Sequence, residues 1–237
     1  KFNFATGNLN EKETRRSVRY KLLQVSQHIL PNNHRVGTCL RYRISKDENV
    51  KIFQHQEHGC LHYGNLMRCG SVWLCPVCGA KISEVRRLEL QQAKEEWLKQ
   101  GGHVYMLTLT TPHYSFTDLR QLIDQQANAL RYFWGGRGGE QLKDDLGYVG
   151  QIRAFEVTYG DENGFHPHYH VLLFTKVNLE DDRLYVSFAK RFAKRWEESC
   201  LKSGLGKPSE EHGCQLQDGS SAFEYINKYG NDDDFSL

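Results

Sequence analysis

The sequence lacks several features, and each absence excludes a class of protein. No apolar run reaches the length of about eighteen residues that a membrane-spanning helix needs. The start, KFNFATGNLNEKETRRS, lacks the charged and then apolar layout of a secretory signal, so we expect a cytoplasmic protein. Because the chain begins with Lys1 rather than Met, we expect it to be a fragment that lacks residues at both ends.

A large charge excess is also missing, because the formal net charge is only +2. This balance is not typical of a non-specific nucleic-acid binder, so any DNA binding would use local basic patches. Two such patches occur, and the solvated face of an amphipathic helix explains each of them equally well. They are predicted DNA-binding residues near the N-terminus (Arg15, Arg16, Arg19 and Lys21) and in VSFAKRFAKRW (Lys190, Arg191, Lys194 and Arg195).

The hydrophobic pattern predicts an α+β fold with a mostly antiparallel sheet and helices largely on one face. Apolar residues at helical spacing predict helices at about 10–29, 83–100, 116–134, 186–203 and 221–229. Short runs rich in β-branched and aromatic residues predict strands at 36–44, 49–56, 104–111, 148–159 and 166–175. The turn formers GDENG join the last two strands as a hairpin, and GGRGG at 135–139 predicts a flexible break.

Cysteine is abundant, and five of the seven cysteines are clustered: Cys39, Cys60, Cys69, Cys75 and Cys78. In a chain without a secretory signal, such clustering favours metal over disulfides. The C-x-x-C pair of Cys75 and Cys78, with Cys69 upstream, predicts a structural Zn²⁺ site. Its fourth ligand stays open among Cys39, Cys60, His58 and His62. The alternative is a redox pair, but the strand and helix context of thioredoxin is absent.

The motif His168-Tyr169-His170 predicts a second metal site. Alternate residues of a strand share one face, so the two imidazoles point the same way. Such a pair is more often a polar strand face, but Glu156 on the partner strand adds an oxygen ligand. Two imidazoles and a carboxylate with open positions suit Mn²⁺ or Mg²⁺, which can polarise a phosphate oxygen. We expect His166 to support this site or contact DNA rather than bind the ion, because Pro167 disturbs its strand geometry.

The segment Tyr225-Ile-Asn-Lys228-Tyr229 supplies a candidate nucleophile. On a helix, Tyr225 shares a face with both Lys228 and Tyr229. A phenol with its ordinary pKa of about 10 attacks poorly, and a neighbouring ammonium favours the phenolate. Taken alone, these tyrosines are better explained as packing with Phe223 and Ile226 against the sheet. Because the motif His168-Tyr169-His170 is also present, we favour a catalytic role for Tyr225 over packing.

Three motifs in this order resemble those of the HUH endonucleases: YMLTLTT on a strand, His-Tyr-His on a strand, and Tyr-x-x-Lys on a helix. The stretch CGSVWLCPVC, followed by a helix carrying Arg86 and Arg87, is similar to the zinc-bearing plasmid replication initiators of that superfamily. The resemblance covers about residues 35–230. It implies a ferredoxin-like or RRM-like palm of about five antiparallel strands at 85–237, after an N-terminal helix and zinc-binding subdomain at 1–84.

The resemblance also implies roles for individual residues. His168, His170 and Glu156 would bind the catalytic metal, and Tyr225 would be the nucleophile beside Lys228. Relatives commonly have an aromatic residue where Tyr229 stands, and a cysteine matching Cys39 commonly completes the zinc site, which favours Cys39 over Cys60. Some relatives end the cycle with a glutamate four residues before the tyrosine. Here that position is Ser221, and Glu224 would point elsewhere, so Tyr229 is a candidate for a second attack.

These features predict a metal-dependent endonuclease and strand transferase that starts rolling-circle plasmid replication. It would nick single-stranded or hairpin origin DNA through a 5′-phosphotyrosine and leave a 3′-hydroxyl for the host polymerase, with the host helicase as a further partner. An HUH transposase or relaxase is the nearest alternative, although relaxases often have the histidine motif after the tyrosine. A non-catalytic zinc-dependent DNA-binding regulator would show no second metal site. A hydrolase that uses water would leave no covalent intermediate.

Overall fold

The computed structural model describes residues 11–54, 56 and 61–219, and for 11–15 it describes the backbone. The helices are α1 (Glu11–Ile29), a short 3-10 turn (Arg35–Thr38), α2 (Pro76–Lys99), α3 (Leu119–Trp134), α4 (Gly136–Leu146) and α5 (Asp182–Lys202). The strands are β1 (Lys51–Gln54), β2 (Leu61–Gly64), β3 (His103–Thr110), β4 (Tyr148–Gly160), β5 (Gly164–Thr175) and β6 (Cys214–Asp218). The chain divides into two compact units, one ending at Leu90 and one beginning at Gln91.

The predicted α+β class is confirmed. In the second unit, the described residues form a four-stranded antiparallel sheet in the order β4-β5-β3-β6, where about five strands were expected. Strand alternation gives the sheet two different faces. Leu107 and Leu109 of β3 lie beside Val171 and Leu173 of β5 on the face that is fully buried. The histidines of β5 occupy the intervening positions and therefore point away from this core.

Three helices cover the buried face of the sheet. Their apolar residues include Phe133 of α3, Leu142 of α4, and Phe192 and Trp196 of α5. The Phe133 and Trp196 rings meet edge to face with centroids 5.9 Å apart. Burying each large apolar side chain contributes about 1.5–3 kcal/mol, so this layer is a main source of stability. Trp196 also donates to the Thr110 carbonyl over 2.7 Å, which fixes α5 to the end of β3.

The secondary structure predicted for the second unit is largely correct. The hairpin of β4 and β5, the strand now seen as β3, and the α3 helix all lie where the pattern placed them. A side chain caps the start of α3, because the Asp118 carboxylate accepts from the Gln121 amide at 2.7 Å. Strand β6 was not predicted, because its sequence CQLQD is mostly polar and only Leu216 in it is buried. The helix predicted at 221–229 lies outside the described residues.

The flexible break predicted at 135–139 is wrong, because these glycines begin helix α4. Close packing explains why glycine is present there. A Cβ on Gly139 would lie 2.5 Å from backbone atoms of Trp134, so the two helices can approach only without a side chain. Leu142 and Leu146 are buried and hold α4 in place. Tertiary burial thus overrides the weak helix propensity of glycine.

The first unit has a small core around its cysteines. The strand predicted at 36–44 is wrong, because the chain instead forms a 3-10 turn that brings Val36 and Cys39 into this core. The Gln27 amide of α1 donates to both of their carbonyls, at 3.2 and 2.9 Å. The second predicted strand is present as β1, paired with β2 in a two-stranded sheet. Helix α2 begins earlier than predicted, with Pro76 in its first turn, where proline costs no hydrogen bond.

In the described part of the chain, the helices are all too short or too polar to cross a membrane.

Candidate functional site

The hairpin of β4 and β5 places Glu156 beside the two histidines. In its antiparallel register, Glu156 pairs with His168 and Ala154 pairs with His170. Directly paired residues of antiparallel strands point to the same face, with Cβ atoms about 4.5–5.5 Å apart. The carboxylate and the two imidazoles therefore meet on the sheet face opposite the core. The structure brings together the three residues that the sequence nominated.

Strand β3 supports the histidines from their other side. Thr108 pairs with His170, and its Oγ1 lies 3.1 Å from His170 Nδ1. That hydrogen bond fixes the ring orientation and leaves Nε2 directed to the site. The fully buried Gln126 of α3 donates to Thr111 Oγ1 at 2.8 Å and to the Pro167 carbonyl at 2.7 Å. The ends of β3 and β5 are thus held together next to His168.

The hydrogen bonding of His168 is compatible with a shared cation. Its Nδ1 lies 3.2 Å from the His166 carbonyl, which can only accept, so Nδ1 carries the proton. The Nε2 atom then faces Glu156 Oε2 at 2.9 Å, where it can donate a second proton or share a cation with the carboxylate. Two electron-pair donors this close are stable only with a proton or a cation between them. The second histidine points to the same place, with His170 Nε2 lying 3.6 Å from the same carboxylate oxygen.

The donor set fits a divalent metal ion. One nitrogen from each histidine and one Glu156 oxygen all lie within 4.8 Å of one another. Adjacent ligands of an octahedral ion, each bound at about 2.1 Å, lie about 3 Å apart, so a small closure of these side chains would suffice. Burial lowers the pKa of His170 to about 4, which keeps this imidazole neutral and able to bind a metal. The choice of Mn²⁺ or Mg²⁺ stays a prediction, because imidazole nitrogens also suit other divalent transition metals.

Two further histidines extend this group. His166 stacks on His113 with ring centroids 4.3 Å apart, and its ring centroid is 5.1 Å from that of His168. Burial, then the neighbouring His113, lowers the pKa of His166 to about 4. His166 thus lies where the sequence placed it, beside the ligands. His113 was missed, although its position just after β3, the strand that borders the histidine strand, could have indicated it.

Four cysteines of the first unit form a separate cluster. The sulfur of Cys39 lies 3.7 Å from that of Cys75 and 3.6 Å from that of Cys78, and Cys69 lies 3.8 Å from Cys78. Four sulfurs bound to Zn²⁺ at about 2.3 Å in a regular tetrahedron lie about 3.8 Å apart. The spacing therefore fits a tetrahedral zinc site with Cys39 as the fourth ligand.

The electrostatics of this cluster also favour a cation. A hydrogen bond from Cys75 lowers the pKa of Cys78 to about 5, whereas burial raises the pKa of Cys39 to about 11. One thiolate thus forms easily, and further thiolates in the same small space need a positive ion to balance them. Among the other candidate ligands, His62 lies in β2, stacked on Phe53, while Cys60 and His58 lie outside the described residues.

The basic patches have mixed surroundings. Arg16 and Arg19 lie in α1, and nothing is described for the side chain of Arg15. In α5, Lys190 and Lys194 are exposed. Their neighbours already have structural contacts, because Arg191 pairs with Asp145 and Arg195 donates to three carbonyls at the end of α3. Contact of these residues with DNA stays a prediction.

Tyr225, Lys228 and Tyr229 lie outside the described residues, as do Ser221 and Glu224. Their roles stay predictions from the sequence.

Known proteins match this chain over most of its described length. The sequence profile of a family described as replication protein matches residues 64–202, a stretch that includes Cys69, Cys75, Cys78 and the Glu156, His168 and His170 group. The chain belongs to this replication protein family. This confirms the resemblance to plasmid replication initiators. No solved structure matches the chain.

Three similar proteins show how far the family relationship extends. A protein named Protein rep from Streptomyces lividans is 37% identical over 144 residues, which cover 50% of this chain and 32% of that protein. Another Protein rep, from Lentilactobacillus hilgardii, is 30% identical over 65% of this chain and 48% of its own length. A protein named Neomycin resistance protein from Streptomyces cyanogenus is 29% identical over 65% of this chain and 42% of its own length. The chain thus spans a third to a half of these relatives.

Proposed function

We propose that this chain carries the DNA nicking and strand-joining activity of a plasmid replication initiator. Membership in the replication protein family supports the role in replication. The observation that carries the chemistry is the convergence of Glu156, His168 and His170 within 4.8 Å on one sheet face. A protein that only bound DNA would not need this second donor set in addition to its cysteine cluster.

The described residues would prepare the site for a scissile phosphate. A Mn²⁺ or Mg²⁺ ion held by Glu156, His168 and His170 would withdraw charge from a phosphate oxygen. The His166 carbonyl holds His168 with its Nε2 lone pair facing the site, and Thr108 holds His170. The Glu156 carboxylate supplies the negative charge that attracts a divalent ion. These contacts fix the donors before substrate arrives, which reduces the reorganisation that reaction requires.

Tyr225 is the proposed nucleophile. Its phenolate oxygen attacks phosphorus and forms a new phosphorus–oxygen bond, while the bond from phosphorus to the 3′ oxygen breaks. The products are a 5′-phosphotyrosine and a strand that ends in a 3′-hydroxyl, which takes up a proton. Lys228, one helical turn from Tyr225 in the predicted helix, would stabilise the phenolate. The ester keeps the energy of the broken bond, so a later 3′-hydroxyl can reverse the attack and join strands.

The implied partners follow from this chemistry. The expected substrate is single-stranded or hairpin origin DNA, as the resemblance to the HUH endonucleases implies. The 3′-hydroxyl suits a host polymerase as a primer, and a host helicase would open the duplex ahead of it. With Ser221 in place of a terminating glutamate, Tyr229 would make the second attack that ends the cycle.

Label position tests the reaction. The chain is incubated with Mn²⁺ and end-labelled single-stranded oligonucleotides that tile the replicon carrying its gene. We expect the 3′ label to become attached to protein through denaturing electrophoresis, and the 5′-labelled piece to be released and extended by a polymerase. Tyr225→Phe should abolish the adduct, whereas the matched variant Tyr229→Phe should still form it.

Each other result rejects part of the proposal. Cleavage without any adduct would indicate a hydrolase that uses water. An adduct that persists in Tyr225→Phe would reject that residue as the nucleophile. Tight zinc binding with neither cleavage nor a second, exchangeable Mn²⁺ site would indicate a DNA-binding regulator.

A further inference from the structure

The parts of the sequence before and after Leu90 differ strongly in charge. Up to Leu90 the sequence contains 15 Lys and Arg against 7 Asp and Glu, a formal charge of +8. From Gln91 onward it contains 16 against 22, a formal charge of −6. The overall charge of +2 therefore conceals a basic segment that contains the cysteine cluster. A polyanion such as DNA would be attracted to this segment rather than to the acidic remainder.

The same segment exposes a tryptophan. Trp73 is 78% exposed, whereas Trp97 and Trp134 are partly buried and Trp196 is fully buried. Trp73 lies between Cys69 and Cys75, in a loop that also exposes Met67 and Leu74 at its borders. Single exposed apolar residues are common, but three around one short loop form a surface that is more typical of a binding site.

The loop that carries Trp73 has a defined structure. The Ser71 amide donates to Cys69 Sγ at 3.5 Å, and the buried Ser71 hydroxyl accepts from the Leu74 amide at 3.3 Å. The loop backbone also packs on the start of α2, where a Cβ on Gly79 would lie 2.5 Å from the Val72 carbonyl oxygen. Because these contacts fix the backbone on both sides of Trp73, its ring would lose little conformational freedom when it binds a flat partner.

Cationic side chains lie next to this loop in the chain. Arg68 immediately precedes Cys69, and Lys81 follows in the second turn of α2, and both are exposed. Proteins bind unpaired nucleic acid by stacking bases on aromatic rings while Lys and Arg contact the phosphates. We propose that the cysteine loop presents Trp73 as a stacking contact for an unpaired base of single-stranded DNA. The choice of DNA as ligand rests on the proposed function, but the contact is separate from the nicking site.

Tryptophan fluorescence tests this contact in the zinc-loaded full chain. The probe is oligothymidylate of about 16 nucleotides, a length that covers the usual site sizes for single strands. No Mn²⁺ is added, so nicking does not enter the measurement. We expect the oligonucleotide to quench the emission of the exposed tryptophan, and Trp73→Phe to lack that quenching while it keeps most of the affinity.

The size of the contact is measured with Trp73→Ala. Stacking of one base contributes about 1–3 kcal/mol, so affinity should fall roughly 5- to 150-fold. The control is Leu201→Ala, which removes an apolar side chain 52% exposed on α5 and should leave affinity unchanged. Unchanged zinc content in the Trp73 variants would show that the loop is intact.

The outcomes separate this inference from the proposed function. No quenching of the wild-type chain, or equal affinity for Trp73→Ala and wild type, would overturn the Trp73 contact, whatever the chain does to a scissile strand. That result would instead favour a protein surface as the partner of the ring. Quenching of the wild-type chain, together with the expected fall in the affinity of Trp73→Ala, would support the contact. This holds even if Tyr225→Phe still formed an adduct.

Discussion

Glu156 and His168 face each other across β4 and β5, with the carboxylate Oε2 only 2.9 Å from the imidazole Nε2. Because the Nδ1–H of His168 donates to the His166 carbonyl, Nε2 faces Glu156 and can offer it a second proton or share a cation with it. The hairpin thus holds two candidate ligands at a spacing that a shared cation would bridge. His170, one step further along the same strand face, completes the set.

Glu156→Gln should weaken Mn²⁺ binding at this site. The amide keeps the size of the side chain but loses the charge that attracts a divalent ion, so we expect affinity to fall by roughly 10- to 100-fold or more. Calorimetric titration with Mn²⁺ measures the effect. Glu162→Gln, in the exposed turn of the same hairpin, is the control and should bind as wild type does. Equal affinity in both variants would show that Glu156 is not a ligand.

Thr108→Val should loosen the metal site without unfolding the sheet. The substitution preserves shape but removes the hydroxyl that lies 3.1 Å from His170 Nδ1. Loss of such a supporting contact typically reduces metal affinity by about 10- to 100-fold. Thr108→Ser restores the hydroxyl and should recover most of the affinity, and the melting temperature of both variants should stay close to wild type. Equal loss in the serine variant would point to packing rather than hydrogen bonding.

Cys39→Ser should release zinc and destabilise the first unit. The geometry makes Cys39 the fourth sulfur of a tetrahedron, and the small apolar core around it offers little stability of its own. Elemental analysis should give much less than one zinc per chain for Cys39→Ser and one zinc for Cys60→Ser. The opposite pattern would make Cys60 the ligand.

Arg195→Ala should lower stability more than it lowers DNA affinity. Its guanidinium donates to the carbonyls of Tyr132, Phe133 and Gly135 at the end of α3, and hydrogen bonds from a charged group contribute about 1.5–3 kcal/mol. We expect the free energy of unfolding in urea to fall by about 2 kcal/mol. Lys190→Ala, on the exposed part of α5, should change stability by less than about 0.5 kcal/mol. Similar stability of the two variants would show that Arg195 does not stabilise the end of α3.

The sequence was sufficient to predict the candidate metal site because local rules determine its geometry. The turn GDENG sets the hairpin, strand alternation puts His168 and His170 on one face, and the register follows from the turn. Glu156 then falls opposite His168 without any long-range information. The spacing of Cys75 and Cys78 was local in the same way.

The features that the sequence missed depend on contacts between distant segments. The glycines at 135–139 form a helix because Leu142 and Leu146 are buried beneath it, and Arg195 binds the backbone that precedes it. The composition of residues 36–44 predicts a strand, but the Cys39 sulfur instead contacts a sulfur more than thirty residues away in the sequence. His113 joins the histidine group only because β3 ends beside His166. No local pattern contains that information.

Peptide mapping of the covalent product gives the decisive measurement. The chain is reacted with single-stranded origin DNA and Mn²⁺, digested with nuclease and trypsin, and analysed by mass spectrometry. Trypsin cuts after Lys228, which separates Tyr225 from Tyr229. We predict a nucleotide on the peptide that ends at Lys228, attached to Tyr225 and absent from a Glu156→Gln sample. A nucleotide found on the Tyr229 peptide, or cleaved DNA with no modified peptide, would contradict the mechanism.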